Sequence, residues 1–272
     1  MRTIQARPLA TVAFALLAAL ASSAFAQTTI DQNKALAGNI NPGDAPGFPI
    51  TLSLTGSYKL TSNLVVPAGT RGIEINADGI TLDLNGFTIM GPVTCNAALD
   101  TPCTTAANNQ NGITSQGNGT ALRNGTVRGF SGSGVVLIHP GAAALQDMVL
   151  ADNAAHGLSI ASVGGAYGKS GTRVTRVTAV QNGGAGFSNN GSATADVLFD
   201  NSTASSNHGD GFSLQGGSGT IHACSGEENK GYGLASTGFS LLSGSRFQNN
   251  TLGNVTGQIN SAGGNLNQIT LF

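Results

Sequence analysis

An asparagine followed four residues later by a glycine recurs through the second half of this 272-residue chain. The pairs are Asn153/Gly157, Asn182/Gly186, Asn207/Gly211, Asn229/Gly233 and Asn249/Gly253. Glycines that precede an apolar residue (Gly112, Gly134, Gly157, Gly186, Gly211 and Gly233) keep intervals of 22, 23, 29, 25 and 22 residues. Phe130 takes the asparagine place before Gly134. Units this short cannot bury an apolar side alone, so they must stack on one another to make a core.

The flanking residues alternate as strands do. Behind the glycines, Ile113, Val135, Leu158, Phe187, Phe212 and Leu234 form one inward row. The next residues, Thr114, Val136, Ser159, Ser188 and Ser213, are expected to face outward, and Leu137, Ile160 and Leu214 inward again. Five residues before the asparagines, Met148, Val177, Ser202 and Cys224 form a second inward row. The asparagines fall where the chain must turn sharply. Asparagine tolerates a left-handed backbone and can bond the neighbouring coil. Asn153, Asn182, Asn207, Asn229 and Asn249 are therefore expected to form a structural ladder, with each glycine letting its turn close.

Composition narrows the choice. The chain has 40 glycines, 25 asparagines, no tryptophan and 9% charged residues. Glycine and asparagine are poor helix formers, which excludes a coiled coil or helical bundle. Apolar residues at 40% exclude disorder. Low charge suits stacked strands, because like charges one coil apart (~4.8 Å) repel. A parallel β-helix satisfies all of this.

Residues 1–26 read as a signal peptide. Arg2 and Arg7 precede an apolar run, and Ala24-Phe25-Ala26 is a small-x-small cleavage site. The mature chain would begin at Gln27 with ten basic and 13 acidic residues, a net charge of −3. Such a chain lacks the basic footprint of a nucleic-acid binder. The apolar run is shorter than a membrane span, so the expected location is periplasmic or extracellular. Cys95 and Cys103 are expected to pair as a disulfide in that oxidising setting, and Cys224 to be a buried, inert thiol. Metal binding is disfavoured, because no His or Cys cluster has ligand spacing, and no cofactor is expected. Residues 27–50 are expected to form an irregular lead-in or cap with a short helix near Asp31–Leu36. Residues 51–272 form the helix domain, with 92–111 an insertion loop.

The entry segment, "GSYKLTSNLVVPAGTRGIEINADGITLDLNGFTIMG" (residues 56–91), resembles the opening coils of secreted right-handed parallel β-helix proteins of the pectate-lyase-like superfamily. With the repeats, the likeness covers residues 51–272. It implies an all-β, right-handed single-stranded parallel β-helix (solenoid) of about eight coils, a rod roughly 40 Å long. It implies little about activity, since the fold hosts lyases, hydrolases, epimerases and non-catalytic surface proteins.

The candidate chemistry is sparse. Stacking places Asp147 beside Arg176 on an outward row with Asn85, Asn124 and Asn201. The insertion after Gly157 adds Tyr167, Lys169 and Arg173. His156 lies in "AHGLSI", which is similar to the His-Gly-x-Ser-Ile stretch of polygalacturonase-type glycosidases, but the upstream aspartate motifs of that family are absent. Asp147, Arg176, Tyr167, Lys169, Arg173 and His156 are the candidates for catalysis. Two readings stand. One is a protein that binds or processes extracellular polysaccharide or a cell-surface glycan, as a lyase or glycoside hydrolase if it is an enzyme. The other is a non-catalytic extracellular scaffold.

Overall fold

The structure, a computed structural model, describes residues 27–95, 103, 109–138, 141–161, 171–190, 196–215 and 219–267. The signal-peptide segment and most of the 92–111 insertion lie outside the described residues. The 23 described strands join in one continuous sheet whose strands pair in parallel. They wind as a solenoid of about eight turns with three faces, and helix is almost absent. Face A stacks strands such as Val135–Ile138, Leu158–Ala161, Phe187–Asn189 and Phe212–Leu214. Face B stacks the first part of Thr172–Val180 on Val197–Asp200, then Gly219–His222. Face C stacks the later part of Thr172–Val180 on Thr203–Ser205, Ser225–Glu227 and Arg246–Gln248.

The first coil starts earlier than the irregular lead-in expected over 27–50. Strand β1 (Thr28–Ile30) pairs with Gly56–Leu60 on face B. Helix α1 (Gln32–Ala37) follows, its N-terminus capped by Asp31, whose carboxylate accepts the Lys34 amide at 2.9 Å. Ala35 of α1 is buried in the core at the N-terminal end of the rod.

Inside the coil, the expected row Ile113, Val135, Leu158, Phe187, Phe212 and Leu234 is fully buried. Each member stacks on the next in register. Met148, Val177, Ser202 and Cys224 are buried as a second row. Toward the C-terminal end the core turns aromatic. The Phe187 and Phe212 rings stack at 4.9 Å, and Phe199 meets them at 5.3 and 5.5 Å. Thr114, Ser188 and Ser213, on the opposite face of their strands from that row, are nonetheless buried.

The asparagine ladder has its rungs at Asn153, Asn182, Asn207, Asn229 and Asn250, not Asn249. Each Oδ1 accepts both the backbone amide and the Nδ2 of the rung before it, at 2.9–3.1 Å. The second Nδ2 proton of Asn207 goes to the Ala179 carbonyl at 3.0 Å, so this buried amide is fully satisfied. Phe130 opens the series by donating its amide to Asn153 Oδ1.

The left-handed backbone falls one residue earlier than expected, on Asp152, Gln181, Ser206, Glu228 and Asn249, with φ of 53–57°. The anchor glycines are needed for space rather than for their dihedral angles. A Cβ on Gly186 would stand 2.8 Å from Asn207 Nδ2 and 2.9 Å from the Gly211 carbonyl oxygen. The asparagine of one coil thus packs on the glycine of the coil before it, and the sequence pairing is the shadow of an inter-coil contact.

Candidate functional site

Between faces B and C a single residue per coil makes the corner. Asn85, Asn124, Asp147, Arg176, Asn201 and Ala223 all adopt φ of 49–60° there. The backbone demands a left-handed residue at this corner, yet the side chains point outward and vary. Asp147 and Arg176 meet as the stacking predicts, in a two-pronged ion pair at 2.6 and 2.9 Å. The guanidinium holds the Asp147 carboxyl below the ordinary range, and the carboxylate raises Arg176 in return. Both are well exposed, which limits what the pair adds to stability.

On face B, the outward row just before this corner runs Asp83, Arg123, Gln146, Thr175, Asp200 and His222. Asp200 and His222, on adjacent coils, are 2.7 Å apart. The hydrogen bond from His222 holds the Asp200 carboxyl below its usual range. Sequence reasoning missed this pair because it aligned the corner residues and not the row preceding them. The 22-residue separation of Asp200 and His222 matches the repeat and carried the signal.

Two residues upstream on the same strands, face B opens into a pocket of about 310 Å³. Arg173, Asp196, Leu198, Thr220, Phe239 and Leu241 line it. Phe239 is 72% exposed, an unusual state for a phenyl ring. Among the described residues there are six arginines, and five rest on carboxylates: Arg71, Arg123, Arg128, Arg176 and Arg246. Arg173 alone makes no ion pair among the described residues, and it faces this pocket. Arg173 and Arg176 share face B and its edge, whereas Tyr167 and Lys169 lie outside the described residues.

His156 belongs elsewhere. It sits in the turn between faces C and A, where its Nδ1 accepts the Ala185 amide at 3.0 Å. Burial lowers its pKa, which keeps the ring neutral with its proton on Nε2. The neighbouring coils do the same job with other side chains: Asn111 accepts from Ser133, and Asp210 from Tyr232. Its place in this second chain of side chain-to-amide bonds gives His156 a structural role.

Cys95 and Cys103 are joined by a disulfide, and Cys95 Sγ lies 3.0 Å from the Asp152 carbonyl oxygen, against the first ladder turn. Cys224 is free and buried, and burial pushes its thiol up to about 12. Among the described residues no group of three or more His, Cys, Asp or Glu side chains could hold a metal ion. No described helix is long and apolar enough to cross a membrane.

No curated protein matches the chain. Among solved structures it is similar to the A-module of the Azotobacter vinelandii mannuronan C-5 epimerase AlgE4, at 13% identity and a TM-score of 0.33, over 89% of this chain and 86% of that one. A family model described as a right-handed β-helix region matches residues 111–271, more than half of the sequence. With the three-faced parallel coil in hand, that match places the chain in the right-handed β-helix family.

Proposed function

We propose that this chain is an exported β-helix protein that binds an extracellular polysaccharide in the face B pocket. The observation that carries the reading is the pairing, in one pocket, of an exposed phenyl ring with an arginine that makes no ion pair among the described residues. A sugar offers an apolar C–H face for Phe239, Leu198 and Leu241, and hydroxyls for Arg173, Asp196 and Thr220. Pocket size and the mix of apolar wall with few polar groups fit a small-ligand subsite. Export is supported by the signal-like segment 1–26 and by the disulfide. Strand β1 also begins at Thr28, directly behind the expected cleavage point.

A glycan array followed by calorimetry tests the reading. A ligand should bind wild type, and Arg173→Ala and Phe239→Ala should each weaken it at least about tenfold, which corresponds to 1.4 kcal/mol. Undiminished binding by both variants would refute the site. The scaffold reading is favoured by the commitment of the other five described arginines to ion pairs. It predicts that no glycan binds at all. Expression with residues 1–26 present should yield a secreted chain whose first residue, by mass spectrometry, is Gln27.

A further inference from the structure

The two ends of the rod are finished differently. At the N-terminal end, side chains take up the outermost backbone groups. Asp44 accepts the amides of Ile40 and Thr51 at 3.1 and 2.8 Å, and Asn41 accepts those of Ser53 and Leu54 at 2.9 and 3.3 Å. Lys34 donates to the Thr29 carbonyl of β1 at 3.0 Å. On face C, Gln32 accepts the Val65 amide at 2.8 Å and donates to its carbonyl at 3.2 Å. Helix α1 closes the core there through Ala35. An end built this way offers little strand edge to another chain.

The C-terminal end lacks this finish among the described residues. The strand Gly253–Ser261 pairs with Tyr232–Ser243 on one edge. Among the described residues no strand lies beyond its other edge, and no side chain takes its backbone groups as Asp44 and Gln32 do at the opposite end. Val255 and Ile259 pack on the open end of the core and are only half-buried. Their partners one coil back, Leu234 and Ser240, are 0% and 1% exposed. Leu252 and Leu266 add exposed apolar surface at this end. Residues 249–267 contain no charged side chain, although charge is a common means of keeping strand edges apart.

Symmetry selects the occupant. The strand passes from face A to face B at Gly257, where φ is 100°. A two-fold axis through that corner, perpendicular to the rod, lays the face A arm of one copy antiparallel on the face B arm of the other. Residues equally distant from Gly257 then oppose each other. Val255 meets the partner's Ile259 twice over, closing the core of each copy against the other, and Thr256 meets the partner's Gln258 on the outside. No like charges meet. Head-to-tail stacking would instead need an open edge at the N-terminal end, which Asp44, Asn41, Gln32 and α1 occupy.

We propose that the C-terminal end is a self-association surface, through which two copies join end to end by antiparallel pairing of Gly253–Ser261 about Gly257. The contact uses the same patch on both copies, so it closes at two. The inference is independent of the glycan reading.

The test uses the full mature chain. Sedimentation velocity should give twice the chain mass at high concentration and the single mass on dilution. Ile259→Lys sets a charge between the two ends and should weaken dimerisation at least about tenfold. The register is read by cysteine pairing, which alters the end little. Val255→Cys mixed with Ile259→Cys should cross-link under mild oxidation, since directly opposed residues come within disulfide reach. Either variant alone should not, because its two cysteines stand four residues apart along the paired strands. The native cysteines do not interfere, Cys95 and Cys103 being paired and Cys224 buried. A wild type that stays single at every concentration would overturn the proposal. If deletion of residues 268–272 then produced the dimer, the chain's own tail would be the occupant. Association beyond two copies would overturn the two-fold arrangement, and a dimer without the 255–259 cross-link would overturn the register.

Discussion

The two turns that flank face C solve the same problem in opposite ways. At the corner entering face C, each coil spends one left-handed residue and leaves its side chain outside. Asn, Asp, Arg and Ala all serve there. At the corner leaving face C, the left-handed residue is followed by an asparagine stacked between coils, and five successive rungs keep that identity, the first four of them buried. Where only the backbone is constrained, the side chain is at liberty to carry charge or bind a ligand. Where the side chain must satisfy four hydrogen-bonding positions inside the coil, only asparagine fits.

The sharpest way to break this contrast is to remove a middle rung. Asn207→Ala leaves the Asn182 backbone amide and one Asn182 Nδ2 proton without their acceptor, and removes the side-chain donor to the Ala179 carbonyl, all in the interior. The expected loss is about 3 kcal/mol, read from urea unfolding midpoints. Next come the adjacent Asn249 and Asn250. Asn250→Ala should cost about 1.5 kcal/mol because its Oδ1 holds Asn229. Asn249→Gly should cost nothing, since Asn249 is only the left-handed residue before the rung, at φ 56°. Equal losses would place the rung where the simple sequence spacing does. At the outer corner, Ala223→Gly relieves a left-handed alanine at φ 51°. It should stabilise by about 0.5 kcal/mol after the added freedom of the unfolded chain is counted.

The smallest effect is one of pH. Burial lowers the pKa of His156 in the folded chain, so the unfolded chain binds more protons below the ordinary value of 6.5. The stabilisation is therefore complete above that pH and is lost as pH falls from 6.5 toward the folded value. His156→Gln keeps an acceptor for Ala185 and should flatten the slope of the unfolding midpoint in that window. The depressed carboxyls Asp147 and Asp200 act lower. Their contribution is present above the ordinary carboxylate range and disappears as pH falls through their folded values.

The coil register was legible because inward rows repeat apolar residues at a fixed place behind each glycine. The last rung was misread for a physical reason. In the final described coil Tyr232 pairs with Gly253 and Leu234 with Val255, so Asn254 stands opposite the anchor Gly233. Asn254 also receives the Asn250 side chain, as the next rung would. A glycine is required where the following coil lays an asparagine on it, as Asn250 lies on Gly233, and in the next coil that place is held by Asn254. Counting back from Gly253 therefore lands one residue early. Asp147 and Arg176 were found from the sequence because their spacing equals one repeat. The pocket was not, because Phe239 reaches it from an irregular stretch between Ser236 and Ser240 where the pairing register shifts. No periodic row predicts such a residue.

The central claim is that the outward residues of face B, and not those of face C, carry ligand recognition. Titrating the best-bound glycan into Phe239→Ala and Arg128→Ala tests it directly, since Arg128 is an exposed cation on face C paired with Asp152 at 2.7 Å. The account predicts at least about tenfold weaker binding for Phe239→Ala and wild-type affinity for Arg128→Ala. Loss of binding in Arg128→Ala with wild-type affinity in Phe239→Ala would contradict it.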